Sequence, residues 1–405
     1  MKPARAIPPA AAPLSARDLV RGVHAQFRAE TGAIEEAIRK YFGCESAFLV
    51  SSGKTALSVT LRALHALRPR NKVLIPAYTC YSVPSAILNA GLEIALCDVE
   101  PDTLDFDYLQ LERIADETTL CILPTHLFGI AADVERVRRI CAEKGIFLVE
   151  DAAQAMGVEH GGRLLGTLGD AGFFSLGRGK NITCGHGGII VTSSPEIAAG
   201  IERCLRKLTE EPAGMVLREM IEVALTTLFL SPALYWLPSG LPFLGIGETT
   251  FDPGFRTSRL GGFGKGVLRT WKQKIDEYNS CRMRIGRQYV EALELRNGWA
   301  IHSRPVPYLR FPIYATTPHA KIEACARYVS LGVSAMYPGP VHRIEALRGY
   351  FRESGYPGAE WVADRLMTLP THTLMNERDR VRVCDAVARC CDRKERMPRP
   401  VRGAV

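Results

Sequence analysis

From about residue 30 to residue 200, short continuous apolar runs alternate with stretches of helical periodicity. No other feature narrows the fold of this chain as much. "KVLIPAY", "EIALCDVE", "TLCILPTH" and "IFLVEDAA" read as strands. Between them "YSVPSAILNAG", "TLDFDYLQLERIADE" and "ADVERVRRICAEKG" read as helices, the last one ending at Gly145. The runs are apolar throughout rather than alternating, as expected for strands of a parallel sheet covered by helices on both faces. The spacing therefore predicts an α/β fold. Ligands of such sheets sit outside the carboxyl ends of the strands. That rule makes Ser52-Gly53, Pro76-Ala77-Tyr78, His126 and Asp151 neighbours around one crevice.

One edge segment, "SSGKTAL" at 51–57, contains the Gly-Lys-Thr that ends a nucleotide loop. A P-loop needs a second glycine five positions earlier, and that position is Phe48. What remains is a helix N-terminus behind Ser-Ser-Gly, whose free N–H groups suit a phosphate monoester. The formal charge of +8 fits anionic ligands, and no basic cluster interleaved with aromatics points to nucleic acid. Twelve cysteines occur without a CxxC pair or a zinc-type spacing. Cys97, Cys121 and Cys141 lie in apolar runs and read as small core residues of a reduced, cytoplasmic protein.

Three later stretches combine with the cup: "VEDAAQA" with Asp151 and Gln154, "DAGFFSLGRGKN" with Ser175 and Lys180, and "GHGG" at 185–188. A strand-end carboxylate, a downstream lysine and a phosphate cup are what pyridoxal phosphate requires: an amine for its aldehyde, a carboxylate for its ring nitrogen, and donors for its phosphate. With these motifs the sequence resembles the DegT/DnrJ/StrS family of sugar aminotransferases, of the aspartate aminotransferase superfamily (fold type I). The similarity runs from about residue 30 to 395 apart from one insertion. "SGKTAL" stands for the family's Ser-Gly-Thr-x-Ala-Leu, "PAYTCYSVPSAILNAGLE" for its Pro-Ala-Phe-Thr block, and "HLFG" for its His-x-Tyr-Gly. "EDAAQA" is intact, and "MYPGPVH" and "LMTLPTH" resemble two late blocks.

The resemblance implies a large domain with a mainly parallel, seven-stranded type of sheet, a smaller C-terminal α+β domain, and a homodimer with active sites at the subunit interface. It assigns Lys180 to the cofactor aldehyde and to proton transfer, and Asp151 to the ring nitrogen. Gln154 falls near the phenolic oxygen, and Ser52, Gly53, Lys54 and Ser175 fall at the phosphate. Tyr81, with Tyr78 as the alternative, takes the ring face that the family gives to an aromatic at Cys80. His186, Tyr337 and His342 are candidates for substrate contact. By this resemblance an amino group passes from an amino acid, by family habit glutamate, to a keto-sugar on a nucleotide or a lipid. The rivals are a sugar dehydratase of the same family, which would be expected to lack the lysine, and a cofactor-binding regulator without catalysis.

Three departures stand out. Lys54 replaces a threonine and brings a cation toward the phosphate or the second substrate. His186 replaces the glutamate of Gly-Glu-Gly-Gly. The asparagine before Arg259 is missing, which alters a phosphate contact that the family takes from the partner subunit.

Domain bounds follow: an arm over 1–27, broken by prolines and expected to be mobile; a large domain over 28–265; and a linking helix with the small domain over 266–405. The insertion spans 214–247, and Val223–Gly247 has no charged side chain. Its helical part, about Met215 to Leu230, would cover about 24 Å, against about 30 Å of bilayer core. Pro232, Pro238 and Pro242 then stop it. The insertion reads either as core or subunit interface, or as an in-plane membrane helix dipping Leu225, Leu228, Phe229, Leu230, Tyr235 and Trp236 into headgroups.

Overall fold

The computed structural model describes residues 5–28, 32–239, 249–293, 305–351 and 355–390. The end of the insertion, with Pro242, lies outside them. Seven strands form one sheet: β1 Ser46–Val50, β2 Lys72–Pro76, β3 Glu93–Cys97, β4 Thr119–Ile122, β5 Phe147–Asp151, β6 Ala171–Ser175 and β7 Gly188–Thr192. Their spatial order is β1-β7-β6-β5-β4-β2-β3. β7 runs antiparallel to both its neighbours, and every other pairing is parallel. β1 and β6 therefore point the same way, so the carboxyl ends of six strands and the start of β7 share one edge.

The apolar runs are buried as their composition demands. All five residues of β7 are buried, as are four of the five in β2 and in β5. Helices close on polar caps: Asp133 accepts from the Arg136 N–H, and Gly145, at φ 60°, ends the helix Val134–Lys144. Cys97, Cys121 and Cys141 are buried free thiols. The long helical stretch after residue 261 is two helices, Gly262–Leu268 and Trp271–Ala292. The second leads to a small α+β unit in which strands Phe311–Tyr314 and Leu366–Leu369 pair antiparallel.

Residues 5–27 of the arm lie against the rest of the chain. Arg5 pairs with Asp379 at 2.8 Å, the Ile7 N–H donates to the Ser330 carbonyl, and His372 Nε2 donates to the Pro8 carbonyl at 2.7 Å. Farther on, the Tyr278 hydroxyl donates to the Pro13 carbonyl. The helix Ala16–Gln26 then packs through Gly22 on Phe263 and Val267. Residues 5–14 form neither helix nor strand, so their side chains show no period. They fill grooves one by one, and Ile7 enters the core of the small unit.

Candidate active site

The cup is built where β1 turns into the helix Gly53–Leu67. Ser52 is its N-cap, and its Oγ accepts from the Thr55 N–H at 3.0 Å. That leaves the N–H groups of Gly53 and Lys54 without an acceptor among the described residues. A Cβ on Gly53 would stand 2.9 Å from Ser175 Cβ, so glycine is what lets the serine close on the helix end. On the other side a Cβ on Gly188 would meet the Ser52 carbonyl at 2.3 Å. Two free N–H groups, a hydroxyl and a helix dipole end are a donor set that fits a phosphate monoester. The Lys54 ammonium lies 3.6 Å from Asp252 and over the Phe255 ring, so its backbone is what this residue offers the cup.

Lys180 sits in the loop that leaves β6 at Ser175 and returns as β7. The Leu176 N–H donates to the Gly187 carbonyl at 2.8 Å, and the Thr183 hydroxyl donates to the Leu176 carbonyl at 2.8 Å. Gly179 and Gly185 take positive φ at the bends. Beneath the loop Arg282, almost wholly buried, donates to the carbonyls of Asn181 (2.9 Å) and Lys180 (3.3 Å). It also reaches the carbonyl of Ala11 in the arm at 3.4 Å. Burial lowers its guanidinium to about 10, which leaves it charged at neutral pH. Sequence reasoning missed Arg282. The available signal was an arginine on the stripe Ile275, Tyr278, Ile285 and Tyr289 of a mainly apolar helix face that also buries Asn279. Arg282→Met should cost about 1–3 kcal/mol, because buried carbonyls lose their donors. Thermal melting measures this, and an unchanged melting temperature would mean that the clamp carries no stability.

Asp151 ends β5, buried. Burial raises its carboxyl pKa, opposed by the Ala153 N–H at 3.0 Å and by the nearby Lys180 ammonium. Gln154, one turn on, accepts from the Phe128 N–H at 3.0 Å and donates to the Tyr337 hydroxyl at 2.8 Å. Tyr337 belongs to the small unit, and its ring lies 5.4 Å from that of Tyr78. Tyr81 is buried with its hydroxyl near Gly339. The hydroxyls of Thr79 and Thr125, at the same edge, are buried without a partner among the described residues. His126 is a structural residue: Nε2 donates to Glu150 at 2.8 Å, and Nδ1 accepts from the Ala132 N–H. Glu150 also takes the N–H groups of Gly166 and Gly169.

The structure does not bring His342 to this group. Its Nε2 lies 3.1 Å from Glu360, and its ring packs on Tyr356. Arg259 donates to the Leu205 carbonyl of its own chain. His186 meets the insertion: Nε2 stands 3.5 Å from Glu222 of the helix Ala213–Phe229, and Glu222 also lies 3.7 Å from Arg178. A Cβ on Gly185 would overlap Val223 at 2.2 Å, so this helix is seated on the lysine loop. The same helix buries Glu219, whose carboxyl is pushed up to about 8 by burial and by Glu211 and Glu222. The folded chain thus holds a proton that the unfolded chain releases near 4.5. Stability therefore falls as pH rises from about 4.5 to about 8 and is unaffected by this group below that window. Glu219→Gln should match the parent near about pH 4 and exceed it by roughly 1–4 kcal/mol near about pH 9. Denaturant titrations at the two pH values check this; parallel pH dependence in both proteins would refute it.

The seven-stranded order with one antiparallel strand, a helix-end phosphate cup, and a strand-end aspartate within electrostatic range of a loop lysine fit a pyridoxal-phosphate enzyme of fold type I. The pattern of the DegT/DnrJ/EryC1/StrS aminotransferase family matches residues 18–388, and the chain belongs to that family. It is a pyridoxal-phosphate-dependent aminotransferase. It is similar to the uncharacterized protein MJ1066 of Methanocaldococcus jannaschii, at 24% identity over 88% of this chain and 89% of the relative. Among solved structures it shares its fold with Helicobacter pylori PseC, an aminotransferase involved in the biosynthesis of pseudoaminic acid (TM-score 0.76, 16% identity, 95% of this chain and 99% of the other). It also superposes on S. venezuelae DesV in complex with a ketimine intermediate (0.71, 24%, 95% and 100%). A third is the E. coli GDP-4-keto-6-deoxy-D-mannose-3-dehydratase with bound hydrated PLP (0.73, 18%, 94% and 99%).

Proposed function

We propose that the chain transfers an amino group from glutamate to a keto-sugar carried on a nucleotide or a lipid, for the synthesis of a glycoconjugate. The observation that carries this reading is the buried Asp151 within charge range of Lys180, beside the cup of Gly53 and Ser175. In this reading pyridoxal phosphate supplies an electron sink for the carbon that loses its proton. Lys180 would hold the aldehyde, and its amine would carry that proton. Asp151 keeps the ring nitrogen protonated, with Gln154 at the phenolic oxygen and Tyr81 at the ring face. Ser175 and the N–H groups of Gly53 and Lys54 hold the phosphate. Tyr337, tied to Gln154, and His186, on the loop, contact the substrate. The active unit is a homodimer in the cytoplasm.

Lys180 at this place favours amino transfer over the dehydratase reading. Mixing the purified holoenzyme with glutamate tests it. The long-wavelength absorbance should convert to that of the amine form, with release of 2-oxoglutarate. No spectral change with glutamate or any other amino donor would support a non-catalytic regulator instead.

A further inference from the structure

The insertion helix Ala213–Phe229 has two faces. The inner one buries Val216, Glu219 and Val223 over the lysine loop. The outer one carries Leu217, Ile221, Leu225 and Leu228, which follow one another at spacings of four, four and three residues and are 49% to 58% exposed. They form a single stripe. The arm helix Ala16–Gln26 touches this helix and exposes a second stripe, Val20 and Val23, continued by Phe27 just beyond its end at 83%. Single exposed apolar residues need no explanation, but two stripes on touching helices form a patch of the kind that meets a partner or a membrane. No described helix is long and apolar enough to cross a bilayer.

Charge decides between the occupants. Arg17 and Arg28 are exposed among the apolar residues of the arm helix and its end, and Arg21 and Arg218, also exposed, already face Asp18 and Glu222. The acids of these two helices are already engaged. Asp18 is buried against Lys274, with Arg21 at 3.6 Å, and Glu222 pairs with Arg218 at 2.7 Å. Glu219 is buried. A second copy meeting this patch through a two-fold axis would set Arg17 and Arg28 against their own counterparts, with every carboxylate of the two described helices already engaged or buried. Lipid phosphates supply the missing anions, and the apolar stripes supply the burial.

We infer that the two helices together dock the protein on an anionic bilayer surface, with both stripes lying in the headgroup region. Because the inner face of the same helix rests on Gly185 and His186, docking places the lysine loop next to the membrane. Docking is independent of the catalytic reading above. Only its use, presenting a sugar carried on a lipid, rests on that reading.

The test is co-sedimentation of the full-length holoenzyme with vesicles of phosphatidylcholine alone, and of equal parts phosphatidylcholine and phosphatidylglycerol. The parent should pellet with the anionic vesicles and stay largely in solution with the neutral ones. Arg17→Gln with Arg28→Gln should lower binding about fivefold for each arginine removed. Leu217→Asp with Leu228→Asp should abolish it. Melting and cofactor absorbance establish folding, and light scattering follows the mass. Three results would overturn the inference: a folded parent that stays in solution with both vesicles, pelleting that ignores the leucine substitutions, or leucine variants that halve the mass without changing pelleting. The last would make the patch a contact between copies. Conversion by glutamate, measured on the same samples without vesicles, reports on the catalytic reading alone.

Discussion

Lys180→Ala should lower amino transfer from glutamate by at least about a hundredfold, since a positioned general base contributes about 10²–10⁴-fold. The larger losses apply if the covalent hold on the cofactor also matters. The fold should survive, because the contacts that anchor this loop are made by backbone. The Lys180 and Asn181 carbonyls receive Arg282, and the neck is closed between Leu176 and Gly187. An unchanged melting curve with lost turnover would separate chemistry from folding. Borohydride reduction of the parent holoenzyme should place the label on the peptide containing Lys180. Label on another lysine, or a variant that keeps full turnover, would remove Lys180 from the mechanism.

Asp151→Asn should slow the reaction at least about tenfold. A charge-assisted hydrogen bond is worth about 1.5–3 kcal/mol, and about 1.4 kcal/mol is a factor of ten in rate. The substitution keeps the shape and an acceptor for the Ala153 N–H, so the turn after β5 should persist. What is lost is the carboxylate, whose charged form burial opposes and that N–H and the Lys180 ammonium favour. Loss of rate without loss of cofactor binding is the expected pattern. Activity within about twofold of the parent would mean that another group faces the ring nitrogen.

Much of the frame was legible in the chain. Four apolar runs mark β2, β3, β4 and β5, and the rule that ligands gather at carboxyl ends brings Ser52, Tyr78, His126 and Asp151 to one edge, where the structure has them. β7 escaped because "GGII" follows a glycine-rich turn and its partners lie far away in sequence. Leu366–Leu369 escaped as a strand because four residues carry no period. The seating of the arm was not legible because its contacts are with residues far along the chain, among them Ser330, Asp379, Tyr278, Arg282 and His372.

The insertion divides the two sources of information most clearly. Its uncharged run and its helix were plain in the sequence, since hydropathy and period are local properties. So was the order of aspartate, serine and lysine, because spacing along the chain survives folding. Which side of that helix is inside could not be read there. An apolar helix with two greasy faces satisfies its period in either orientation, and Val223 against Gly185 decides the matter only once the loop has closed. The contacts of Arg282 with Lys180 and of Glu222 with His186 likewise join residues that lie about 100 and about 36 positions apart. Charge and burial act through space, so only the folded chain could decide those pairings.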